Sequence, residues 1–252
     1  MWQRSNGRDQ NNVHQQKVKP MGLVENHSSS VFVEHPVSTC VTDVLFDSSY
    51  SLYITENFTE TYSYPLVTYL HDGSRSERDL WNWFPSISDQ NYLGLGVRAS
   101  FPHPRGLPGR FDWKLRRPDA SMASIRDAVF SVDRDWAINP QKIYLFGEGD
   151  GAIVALQHLV LQQSLEFETI QAAGAICRSL PKNWADWLPH ITNQLHGRIL
   201  FLDPIQNPDE QAAIDALSEA GFEITFAHAS EGVSPPQIIN QWIMAGINTA
   251  IY

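Results

Sequence analysis

A chain of 252 residues, 42% hydrophobic and with eight tryptophans, is long enough to bury a full-sized core, and its formal net charge of −10 argues against a general nucleic-acid binder. No apolar run reaches the roughly 20 residues that a membrane helix needs, and the opening MWQRSNGRDQNNVHQQ lacks the apolar core of a signal peptide. A soluble cytoplasmic protein is therefore expected. Cys40 and Cys177 are the only cysteines, which gives neither a disulfide framework nor a metal knuckle, and no metal or organic cofactor is expected. Asn26-His27-Ser28 and Asn57-Phe58-Thr59 match the glycosylation sequon, but without a secretory signal both are read as chance.

Residues 1–30 are rich in Gln, Asn, Ser and Arg and lack hydrophobic periodicity, so they are expected to form a disordered polar tail; Arg4, Arg8, Lys17 and Lys19 make it basic against the single acid Asp9. Residues 31–252 are expected to form one domain. From SSSVFVEHP to YSLYITENFTETYSY, β-branched and aromatic residues alternate with polar ones, the pattern of an antiparallel edge ribbon. Continuous apolar strands then begin to alternate with amphipathic helices. The strands are predicted at PLVTYL (65–70), YLGLGVRA (92–99), KIYLFG (142–147), AAGAIC (172–177), RILFLD (198–203) and FEITFAH (222–228). Helices are predicted over about 120–137, where Ile125, Val129, Val132 and Trp136 share a face, and near 151–163, 208–220 and 235–247. Strands so poor in charge, joined by helices, imply an α/β fold with a mostly parallel central sheet and helices on both faces. The Pro-, Gly- and Arg-rich segment 101–119 is predicted to be a long irregular loop on the ligand side of the sheet.

Ligands of an open parallel sheet bind outside the carboxyl ends of its strands. Four such ends carry polar groups: YLHDGS (69–74), FGEGDG (146–151), FLDPIQNP (201–208) and HASEGVSPP (228–236). The second is a glycine-rich turn between an apolar strand and an apolar helix, which is how a hydrolase presents its nucleophile. On PLVTYLHDGSRSER and INPQKIYLFGEGDGAIVAL, the chain from about residue 50 onward resembles the carboxylesterase, phospholipase and thioesterase branch of the α/β-hydrolases.

The resemblance implies an oxyanion loop over His71, Asp72, Gly73 and Ser74, and an elbow flanked by Gly147 and Gly151. The nucleophile slot is then Gly149, which has no side chain. Taking Asp150 as the nucleophile would put Glu148 where the turn needs a small residue. The family's acid falls on Gln206 or Asn207, with Asp203 and Asp209 close enough to leave the alignment open. Its histidine falls on Glu231, and His228 lies three residues earlier, at the strand end. Removing triad members costs on the order of 10⁴ to 10⁶ in rate. The expected function is thus an esterase-like homologue without hydrolytic activity, binding a small molecule or a protein through the former active-site face.

Two other functions stay open at this point. One is an active carboxylesterase- or phospholipase-type hydrolase with a non-standard nucleophile, in which Glu148, Asp150, Glu231 and His71 supply acid and base groups. The other is a structural subunit whose basic tail docks elsewhere. His71 and Glu148 are more simply structural. Cys177, at the end of a buried strand, reads as a small hydrophobe rather than a thiol nucleophile. Ser74 and Ser76 read as turn formers, and the pairs Trp81/Trp83 and Trp184/Trp187 as partly exposed binding surface.

Overall fold

The computed structural model describes residues 30–35, 38–44, 49–88, 90–105, 107–162, 170–191, 195–205, 207–227 and 232–249, and of 30–49, 248 and 249 the backbone only. Apart from Ser30, the expected tail lies outside these, as do Gln206, His228 and Glu231. Runs rich in β-branched and aromatic residues form β1 (Ser30–His35), β2 (Ser38–Val44) and β3 (Ser49–Ile54). The apolar run at residue 65 forms β4 (Tyr64–Leu70), and after α1 (Phe84–Ile87) comes β5 (Leu93–Val97). A two-residue pair, β6 (Phe101–Pro102) with β7 (Phe111–Asp112), precedes α2 (Pro118–Asp135), which starts on a proline at its first position. The rest alternates as β8 (Ile138–Glu148), α3 (Asp150–Leu161), β9 (Ala172–Arg178), β10 (Arg198–Phe201), α4 (Pro208–Glu219), β11 (Glu223–Phe226) and α5 (Pro235–Thr249).

One sheet of nine strands runs in the order β1-β2-β3-β5-β4-β8-β9-β10-β11. The six strands from β5 to β11 in that order are parallel, and β1 to β3 form the antiparallel edge. The chain moves outward from β4 to β5 and then returns to β8 on the other side, so the winding reverses between β4 and β8. That switch point opens a crevice at the carboxyl ends of these two strands.

Alternation along each strand sends side chains to two separate cores. Leu66 and Leu70 of β4 and Ile143 and Leu145 of β8 meet Ile125, Val129 and Val132 of α2, Ile153 and Leu156 of α3, and Ile214 and Leu217 of α4. Val67 and Tyr69 of β4 and Tyr144 and Phe146 of β8 face the other way, against Phe84 and Ile87 of α1 and Ile239, Trp242 and Ile243 of α5. Each of these buried side chains contributes roughly 1.5–3 kcal/mol of transfer free energy. The central strands are therefore apolar on both faces, which is why they read as continuous runs.

Two expectations need correction, and one stretch without a predicted element has one. Segment 101–119 is not wholly irregular, because Phe101 and Pro102 pair with Asp112 and Phe111, and Arg75 bridges to Phe111. The stretch after the oxyanion loop contains a 3-10 helix, Glu77–Asn82, running into α1. Trp83 and Trp184 are only 8% and 2% exposed, because each is packed into a core, so only Trp81 and Trp187 of the two pairs are half-exposed.

Candidate active site

The turn from β8 into α3 is built by its glycines. A Cβ on Gly147 would lie 2.3 Å from the Gly151 carbonyl oxygen, and one on Gly151 would lie 2.1 Å from that of Leu70, so neither position accepts a larger residue. Gly149 between them takes φ 55° and ψ −121°, a left-handed conformation open chiefly to glycine. Its N–H donates to the Arg178 carbonyl at 2.9 Å. The strand, sharp turn and helix have the shape of a nucleophile elbow, with a residue lacking a side chain at the apex.

The space above the apex is filled from another loop. Asp72 Oδ1 accepts hydrogen bonds from the backbone N–H of Gly73 at 2.8 Å and of Asp150 at 3.0 Å. An oxyanion hole in this architecture is made of two such donors, the N–H after the nucleophile position and one from the loop after the neighbouring strand. Here both converge on a carboxylate of the chain itself. The N-terminus of α3 favours negative charge at this point, and each charge-assisted bond contributes about 1.5–3 kcal/mol before solvent exposure reduces it. The same carboxylate takes the volume of a side chain on Gly149, whose Cβ would lie 1.8 Å from Asp72 Oδ1 and 2.2 Å from Cγ.

The other polar residues near the crevice are bound into the structure. Glu148 Oε2 accepts from Tyr69 Oη at 2.7 Å and Trp83 Nε1 at 2.9 Å, and Oε1 from Arg178 Nη1 at 2.7 Å. Arg178 also lies over the Trp83 ring, 4.5 Å from its centroid. Both Glu148 oxygens are thus engaged, leaving it poorly placed for acid or base work. His71 is fully buried; its Nδ1 meets the Asp72 carbonyl at 2.7 Å, and its Nε2 accepts from Ala99 N–H at 3.1 Å. Burial lowers its pKa and holds it neutral, protonated at Nδ1 as the Ala99 contact requires. The Trp113 indole N–H donates to the His71 carbonyl at 2.7 Å, pinning segment 101–119 against the oxyanion loop.

Asp150 is half-buried and its pKa is raised, first by desolvation and then by the charges of Asp72 and Asp112. Asp112 holds Ser74 N–H at 2.7 Å and His103 Nδ1 at 2.9 Å, and Ser74 sits at φ 59° in the turn. Among the described residues no group of three or more His, Cys, Asp or Glu is placed to hold a metal ion. Cys177 is buried, with its thiol pushed up by burial and by Asp203, and Sγ contacts the Ala152 carbonyl. Asn207, one of the alternatives for the acid position, caps α4: its Oδ1 accepts from Glu210 N–H and its Nδ2 donates to Glu210 Oε1, both at 2.9 Å.

Of the expected site residues, His71, Asp72, Gly73, Ser74, Glu148, Gly149 and Asp150 therefore come to one crevice. Gln206, Glu231 and His228 lie outside the described residues. The contact of Asp72 with the elbow, Trp113 and Arg178 were not legible beforehand, because their partners lie 78, 42 and 30 residues away in sequence and no local spacing marks them.

No protein-family model matches the chain, and no curated protein matches it. Solved structures do. A carboxylesterase from Mesorhizobium loti superposes with a TM-score of 0.57 at 18% identity, covering 81% of this chain and 98% of that one. The Bacillus cereus carboxylesterase gives 0.53 at 15%, covering 80% and 94%, and an esterase/lipase from an uncultured bacterium gives 0.56 at 14%, covering 92% and 94%. The chain has the α/β-hydrolase fold. As an α/β-hydrolase fold it agrees with the expected mostly parallel sheet and antiparallel edge. Identity this low speaks for the fold alone, and chemistry has to be argued from the crevice itself. No helix among the described residues is long and apolar enough to cross a membrane.

Proposed function

We propose that this α/β-hydrolase chain has lost ester hydrolysis and acts as a binding protein, taking a small molecule or a protein partner on the former active-site face. The observation that carries the reading is the carboxylate of Asp72 on both the Gly73 and Asp150 N–H groups, beneath which Gly149 offers no nucleophile. A triad hydrolase needs those donors free for the oxyanion that develops on the substrate carbonyl. A resident carboxylate competes for the same two bonds and repels a second negative charge. The glutamine, asparagine and glutamate aligned with the acid and histidine positions support the same reading. The face comprises the loops after residues 70, 147 and 203, with segment 101–119 beside them; residues 228–231, expected to join it, lie outside the described residues.

The experiment is to treat the full chain with a fluorophosphonate probe and to assay short-chain and lysophospholipid esters. No labelling, and turnover at the uncatalysed rate, are expected. Stoichiometric labelling or turnover well above that rate would overturn the reading in favour of a phospholipase- or carboxylesterase-type enzyme with a non-standard nucleophile.

A further inference from the structure

With the elbow occupied, open space among the described residues lies to one side of it. A cavity of about 240 Å3 opens where β9, β10 and β11 end, floored by Cys177 and walled by Trp184, Phe201 and Phe226. The rings are ordered: Phe201 and Phe226 stack at 5.6 Å between centroids, and Trp184 tilts against Phe201 at 5.9 Å. Two carboxylates, Asp203 and Glu210, also line it, and among the described residues no Lys, Arg or His does. Both acids are set in place. Asp203 Oδ2 accepts from Ser179 N–H, with Ser179 at φ 53°, and Glu210, 6% exposed, is bound by Asn207.

We infer that this cavity binds a small organic cation, an ammonium group on a single aromatic or short alkyl body. Three physical arguments converge. Its volume is below the roughly 300–1,000 Å3 typical of sites for drug-sized ligands, so one ring with a short arm fits and a long chain does not. Walls of Trp184, Phe201, Phe226, Leu180 and Ile214 suit a small apolar body, and carboxylates in a partly desolvated site bind an ammonium through charge-assisted hydrogen bonds. The net charge of −10 adds a long-range field that draws cations to the surface and disfavours anions. The cavity is thus selective against the carboxylic and phosphoric products that an esterase site would hold.

The inference rests on the reading above only in placing the ligand on this face. The test is calorimetric titration of the full chain with 2-phenylethylamine, beside 2-phenylethanol and 3-phenylpropionate as neutral and anionic partners of similar size. The amine is expected to bind at least about tenfold more tightly than the alcohol, with no binding of the anion. D203N keeps an acceptor for Ser179 N–H and E210Q keeps a side chain suited to the α4 cap, so both should fold. Each is expected to weaken the amine about tenfold while leaving the alcohol unchanged. Equal binding of the three ligands, no saturation by the amine at millimolar concentration, or unchanged amine affinity in both variants would overturn the assignment. Ester hydrolysis by the wild type would overturn the loss of catalysis and leave this cavity's selectivity standing.

Discussion

Restoring a serine at the elbow, Gly149→Ser, is the sharpest perturbation. The new Cβ would lie 1.8 Å from Asp72 Oδ1 and 2.2 Å from Cγ, so the carboxylate must leave. Its departure strips the Gly73 and Asp150 N–H groups of their acceptor, each bond contributing about 1.5–3 kcal/mol. Holding a residue with a Cβ at φ 55° adds about 1–2 kcal/mol. Asp72 is half-exposed, so water recovers part of the first loss, and a destabilisation of about 3–6 kcal/mol is expected. Urea unfolding of G149S, D72A and the double variant measures it. Once Asp72 is shortened the serine has room, so the double variant should be more stable than the two single effects predict, with a coupling of about 1–3 kcal/mol. Neither serine variant should hydrolyse p-nitrophenyl acetate well. Additivity within about 0.5 kcal/mol would refute the contact, and normal esterase rates in G149S would refute the alignment of Glu231 with the histidine.

Glu148→Ala leaves the Trp83 N–H and Tyr69 hydroxyl without their shared acceptor and Arg178 without its ion pair, so a loss of about 2–4 kcal/mol is expected in urea unfolding; a variant within 0.5 kcal/mol of wild type would contradict it. The pKa of Asp150 is raised, so folding binds a proton in the window above its ordinary 3.8 and stability falls as pH rises through it. D150N should accordingly raise Tm at neutral pH, with the difference shrinking toward pH 3, and a lower Tm throughout would show that its place in the first turn of α3 outweighs the repulsion. His158 is buried neutral, its pKa lowered from 6.5 to about 4, so the unfolded chain takes up the proton first. Stability should fall as pH drops from 6.5 to 4, by on the order of 3 kcal/mol more in wild type than in H158Q, whose amide can still reach the Ile170 carbonyl; parallel pH profiles would refute it.

What was legible in the sequence and what was not divides along the range of the interactions. β4 and β8 declared themselves because both faces of each are buried, which leaves runs such as PLVTYL without charge. The elbow was legible because Gly147 and Gly151 are demanded by backbone contacts within or next to the turn. The stretch 77–87 was passed over because its 3-10 turn and four-residue helix are too short to show a period. Trp83 and Trp184 looked exposed because their neighbours are polar, whereas tertiary packing decides their burial. Asp72 was grouped with the crevice by its place after β4, but its hydrogen bond to Asp150 depends on how two distant loops meet.

That distinction bears on how the turn stands without a nucleophile side chain. The turn at Gly149 is held by the Arg178 carbonyl, by the close approaches of Gly147 and Gly151, and by Glu148 tied to Tyr69, Trp83 and Arg178. None of these contacts involves a nucleophile side chain. What an empty oxyanion hole lacks is an acceptor for two inward-facing N–H groups, and unsatisfied donors of that kind cost about 1–3 kcal/mol each when water is kept out. Asp72 supplies the acceptor from within the chain, which makes the strained turn stable without a ligand. The same contact that stabilises the elbow therefore occupies both donors, and a serine at Gly149 is expected to displace it at the expense of that stability.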